Sequence, residues 1–183
     1  MTDHAVYVLL ADGFEELEAI APIDILRRMD LNVVTVGVTS KQVKGAHGIE
    51  ITADRTLNQL KAQTPAAVVL PGGMPGAKNL DANRTVGELV RRVAEDGGVV
   101  GAICAAPMVL GHLGLLEGRR ATCYPGFEAE LTGAAKADDK VVTDGRIVTA
   151  AGAGVAAEFG FAVGALVKDP VTAAFVRRSI QTA

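Results

Sequence analysis

Four unbroken apolar runs, each followed by a helical or turn-forming stretch, constrain this chain more than any other feature. AVYVLLA at 5–11 precedes EELEAIAPIDILRRM at 15–29, where apolar residues recur at helical spacing. NVVTVGV follows at 32–38, then the polar TSKQVKGAHG and a short IEITA. PAAVVLPGG at 65–73 leads to a helix predicted around 84–95 with Val86, Leu89, Val90 and Val93 inward, and GVVGAIC ends at Cys104. A strand that is apolar throughout is buried on both faces, as in a parallel sheet covered by helices on both sides. RATC at 120–123 reads as a short fifth strand, and KVVTDGRIVTA at 140–150 is β-branched around Asp144-Gly145, a hairpin signal. That hairpin adds antiparallel strands near one edge. Helices over about 155–168 and from 171 complete the chain. With no internal repeat, linker or low-complexity tract, the reading is one doubly wound α/β domain over residues 1–183.

Composition narrows the function. The 183 residues are 49% hydrophobic and contain no Trp, so the core is built from Val, Leu, Ile and Ala. A net charge of -3 without basic clusters argues against a nucleic-acid backbone as partner. No stretch reaches the roughly 18 apolar residues of a membrane helix. MTDHAVYVLLADG lacks the charged region and cleavage site of a secretory signal. Two cysteines do not by themselves indicate an oxidising compartment. The expectation is a soluble, cytoplasmic protein. No G-x-G-x-x-G follows the first strand, so no dinucleotide cofactor is expected. Two cysteines and three scattered histidines (His4, His47, His112) show no metal-ligand spacing.

Ligands of such sheets gather beyond the carboxyl ends of the strands. Three strands here end in suggestive turns: the first in DGFEELE, the third in PGGMPG, the fourth at Cys104. If those strands are neighbours, the turns share one crevice. Cys104 is read as opening a helix, where free N–H groups and the helix dipole lower a thiol's pKa. Small Ala105 and Ala106 leave the turn uncrowded, and the N–H groups of Gly73 and Ala105 are candidates for an oxyanion hole. Glu15 and Glu16 suit a solvated first helical turn. Glu18 is either surface charge or, if buried near a thiolate, an acid with a raised pKa. Cys123 reads as a small buried hydrophobe rather than a second nucleophile.

LADGFEELEAIAPIDILRR, VVLPGGMPGAKNL, GAICAAPMVLGHLGLLEGRRAT and VTAAGAGVAAEFG together resemble the DJ-1/ThiJ/PfpI superfamily, nearest its DJ-1-like branch. The resemblance implies a flavodoxin-like sandwich, a homodimer and no cofactor. It puts the reactive cysteine on Cys104, its partner acid on Glu18 and the backbone donors on Gly73 and Ala105. It makes His47, in KGAHGIE, a pocket residue reaching across a dimer. Tyr124 stands where some relatives have His, and Ala105 where the PfpI-type proteases have His, so a Cys–His peptidase is disfavoured. An amidotransferase reading suffers from the same missing histidine. His112, eight residues after Cys104, lies about 12 Å along the predicted helix, too far to activate the sulfur.

The function the resemblance implies is cofactor-free chemistry on small reactive aldehydes or glycated amines, of the glyoxalase III or deglycase type. The alternative is a non-enzymatic redox sensor or chaperone-like stress protein working through oxidation of Cys104.

Overall fold

The computed structural model describes residues 5–60 and 64–182; His4 lies outside them. The strands are β1 (Val6–Leu10), β2 (Val33–Gly37), β3 (Gln42–Lys44), β4 (Glu50–Thr52), β5 (Arg55–Thr56), β6 (Ala67–Leu70) and β7 (Val99–Ile103), followed by β8 (Arg120–Ala121), β9 (Ala135–Lys136), β10 (Val141–Asp144) and β11 (Ile147–Ala150). The helices are α1 (Glu16–Arg28), α2 (Gly76–Asp81), α3 (Arg84–Glu95), α4 (Pro107–His112), α5 (Ala156–Val167) and α6 (Pro170–Ser179).

Seven strands form the central sheet in the order β10-β11-β7-β6-β1-β2-β5. Every pairing is parallel except β10 with β11 at the edge, where the Asp144-Gly145 hairpin was expected. The apolar runs are buried on both faces because alternate residues serve different cores. In β1, Val6, Val8 and Leu10 point into one core while Leu9 points into the other. The first core is closed by Ala19, Ile23 and Leu26 of α1 with Ala156, Phe159 and Val163 of α5. The second is closed by α2, α3 and α4, and the four α3 residues expected inward are all buried there. Helix α6 packs outside, against Ile25 of α1, Met29 just after it and Phe161 of α5. This is the doubly wound, flavodoxin-like sandwich expected.

Three local expectations change. RATC does not extend the main sheet: only Arg120–Ala121 is strand, and it pairs in parallel with β9 in a separate two-stranded sheet. The polar TSKQVKGAHG is not all loop: it contains β3, on which IEITA turns back antiparallel as β4. Helix α4 starts at Pro107, so Cys104–Ala106 form a turn ahead of it rather than its first turn. Proline fits that first helical position because its missing N–H would be unpaired there anyway.

Candidate active site

Strands β1, β6 and β7 are adjacent, so their carboxyl ends bring three distant segments to one place. Cys104 follows directly on β7. Its N–H donates to Ala150 O (2.8 Å) and its carbonyl accepts the Tyr124 N–H (2.8 Å). Those two bonds hold it at φ 63°, a left-handed conformation that costs a non-glycine residue about 1–3 kcal/mol. The strain aims the side chain out of the strand and toward α1.

Glu18 faces it from the first turn of α1 and is 1% exposed. Its carboxyl group interacts with the Cys104 thiol, and Oε2 accepts the Gly72 N–H at 2.9 Å. Gly72 leaves the space for this. A β-carbon there would lie 2.6 Å from both Glu18 Oε2 and Cys104 Cβ. The N–H groups of Gly73 and Ala105 both act on the Cys104 sulfur in the sense that favours its charged form. The structure thus brings Cys104, Glu18, Gly73 and Ala105 together. Gly72 was missed as Glu18's donor; its signal is the middle glycine of PGG, which nothing local distinguishes from its neighbour.

The electrostatics differ from the expectation of a thiol lowered by a helix. Burial raises Glu18 to about 7, over the opposing hydrogen bonds from Cys104 and Gly72; the charge of Glu15 adds to the rise. Burial, then the charge of Glu18 and its hydrogen bond, push the Cys104 thiol up to about 12, while the Gly73 and Ala105 N–H groups pull it down. Burial is the largest cause of the difference, and an ionised Glu18 opposes a second negative charge alongside; Cys104 also precedes α4 rather than opening it. The two groups therefore titrate as a pair. A thiolate forms most readily when its proton passes to Glu18.

The other expected residues divide. Glu16 is buried, not solvated: it is 6% exposed and accepts the N–H groups of His47 (2.8 Å) and Ile49 (3.2 Å). Burial alone would raise Glu16, but those bonds and the His47 ring hold it below the usual carboxylate range. His47 Nδ1 lies 3.0 Å from Glu16 and 3.3 Å from Glu15, so the His47 interactions run to those carboxylates rather than to Cys104. The hydrogen bond that His47 donates to Glu16, with the charges of Glu15 and Glu16, raises the His47 pKa. Tyr124 is half-exposed, with the edge of its ring over Gly152. Cys123 is buried in the second core and raised to about 11, chiefly by that burial.

A doubly wound α/β sheet with a strained cysteine turn at its carboxyl edge, paired with a buried carboxyl group, defines a class of cysteine-elbow proteins. The family model described as the DJ-1/PfpI family matches residues 4–166, and the chain belongs to that family. It is 40% identical over 158 residues to protein DJ-1 homolog A of Arabidopsis thaliana, covering 84% of this chain but only 40% of that protein. The chain thus spans about two fifths of that relative's length. It is 34% identical to a Caenorhabditis elegans protein named glutathione-independent glyoxalase, covering 91% of this chain and 89% of the relative. A cysteine-to-alanine mutant of a DJ-1 superfamily protein from Salmonella typhimurium superposes with TM-score 0.93 at 37% identity, covering 98% of this chain and 99% of that one.

Proposed function

We propose that the protein is a cofactor-independent cysteine enzyme acting on small reactive aldehydes such as methylglyoxal, of the glyoxalase III or deglycase type, in protection against carbonyl and oxidative stress. The carrying observation is that the buried Glu18 carboxyl, held by the Gly72 N–H, stands beside the Cys104 thiol, on which the Gly73 and Ala105 N–H groups also act. The name of the Caenorhabditis elegans relative adds support.

In this reading Glu18, ionised near and above pH 7, takes the thiol proton as sulfur attacks the aldehyde carbon. The Gly73 and Ala105 N–H groups receive the charge on the aldehyde oxygen, an effect worth about 3–4 kcal/mol per donor in comparable sites. Glu18 returns the thiol proton to that oxygen, giving a neutral hemithioacetal, and as a carboxylate again carries a proton from the former aldehyde carbon to the neighbouring carbonyl carbon, through an enediol. The product is a thioester of a 2-hydroxy acid, which water cleaves to lactate and free Cys104. The net change is methylglyoxal plus water to lactate, with no oxidant. A buried acid near neutrality suits both proton steps. Deglycase action applies the same steps to adducts on amines.

The test is lactate formation from methylglyoxal by reduced protein. Cys104→Ser should abolish it, and Glu18→Gln should lower kcat/KM by about 10²- to 10⁴-fold. No lactate above buffer, with Cys104 reduced, overturns the reading. The second reading is a redox sensor in which the same donors hold an oxidised Cys104. A relative's structure described as Toxoplasma gondii DJ-1, oxidized, favours keeping it, at 29% identity. Mild peroxide that adds two oxygens selectively, and not to Cys104→Ser, supports that reading; unselective oxidation rejects it.

We further propose a cytoplasmic homodimer. No helix among the described residues is long and apolar enough to cross a membrane. Leu17 and Ile20 stand exposed on α1, and exposed Ile49 sits on the loop that Glu16 holds. Clustered exposed apolar side chains of this kind mark a surface for association.

A further inference from the structure

His112 is set aside by distance as an activator of Cys104, yet its ring is engaged on both sides. Nδ1 lies 3.0 Å from Asp81 Oδ1 at the end of α2, and Nε2 lies 2.9 Å from Glu130 Oε2. A neutral imidazole carries a hydrogen on one nitrogen only, so two carboxylates facing both nitrogens are satisfied together only by the imidazolium. Glu130 belongs to the segment from Tyr124 to Leu131, whose first residue gives its N–H to the Cys104 carbonyl and whose last is buried. The contact with α4 falls beside His112. At Gly111 a β-carbon would lie 2.0 Å from the Glu130 carbonyl oxygen, so only glycine admits the segment there.

We propose that His112, as an imidazolium held between Asp81 and Glu130, is a positioning residue that fastens the 124–131 segment to α4 and so keeps the Tyr124 turn seated on Cys104. The charges acting on His112 are Glu130, from the segment, and Asp81, from α2; both raise its pKa above the usual histidine value. The sign follows: the clamp is complete below that raised value for as long as both carboxylates are ionised, and loses one of its two bonds as pH rises through it. Alkaline conditions loosen the wall beside Cys104 from its far end. Neither the aldehyde reading nor the sensor reading is needed for this.

Backbone hydrogen exchange, corrected for intrinsic pH dependence, tests it without a substrate. Protection of the amides from Tyr124 to Ala134 should fall about two- to fivefold between pH 6 and pH 9, the range expected for one partly exposed charged hydrogen bond. The fall should exceed any change at the amides of β6, which follow global stability. In His112→Gln the 124–134 protection should be low and independent of pH, and Glu130→Gln, a change at an exposed carboxylate, should behave alike. By NMR the His112 ring should titrate above 6.5 in the wild type and lower in Glu130→Gln. Wild-type protection that does not vary with pH, an equal fall in either variant, or an ordinary His112 titration overturns the proposal.

Discussion

Glu18 shows how much one position depends on its surroundings. Its folded pKa, about 7, lies above its ordinary value of 4.5. Between those values the folded chain holds more protons than the unfolded chain, so stability declines as pH rises through that window. The loss is on the order of 3 kcal/mol, fully developed above about pH 7. Urea unfolding of wild type and Glu18→Gln at pH 5 and pH 8 reads this directly. The stability of the variant relative to wild type should improve by that order at the higher pH, because an amide has no proton to lose. An unchanged difference would mean that the carboxyl group is not desolvated as the structure has it. None of this is legible locally. Beside Leu17 and Ala19, Glu18 looks like any helical surface glutamate, and its burial follows only from the arrival of Gly72 and Cys104.

At the scale of elements, the first turn of α1 is inverted relative to ordinary amphipathic design. Glu16 and Glu18 are inside, while Leu17 is 61% exposed. The apolar spacing of 15–29 correctly marked the helix, since Ala19, Ile23 and Leu26 meet α5 across the first core. It could not mark the turn, where hydrogen-bond donors from the β3–β4 loop and from Gly72 override polarity. The turn after β6 has equally little freedom. Gly72→Ala would drive a methyl group into Glu18 and toward the Ile103 carbonyl, 2.8 Å away. Overpacking of this kind costs about 1–3 kcal/mol, and backbone on one side puts this case at the upper end. The prediction is a lower urea midpoint together with a changed pH dependence of Cys104 alkylation by iodoacetamide. A variant as stable and as reactive as wild type would show that the segment yields more easily than its geometry implies.

For the whole molecule, the proposed dimer gives the next prediction. Leu17→Lys places a charge in the exposed patch of α1 and should convert a dimer to a monomer in sedimentation velocity, with the far-UV circular dichroism unchanged because Leu17 faces away from the core of its own chain. A wild-type chain that sediments as a monomer would remove the reason for that patch.

By itself the sequence determined the alternation of buried strands and helices, the hairpin at Asp144-Gly145 and the glycine turn opposite a cysteine. Periodicity and turn chemistry are local properties, written within a few residues. The tertiary structure decided which strand ends meet, that Cys104 stands before α4 rather than within it, that His47 and His112 are taken by carboxylates, and that Glu18 is buried. Those outcomes depend on sheet order and on partners tens of residues apart, where burial and hydrogen bonding outweigh what any single residue prefers.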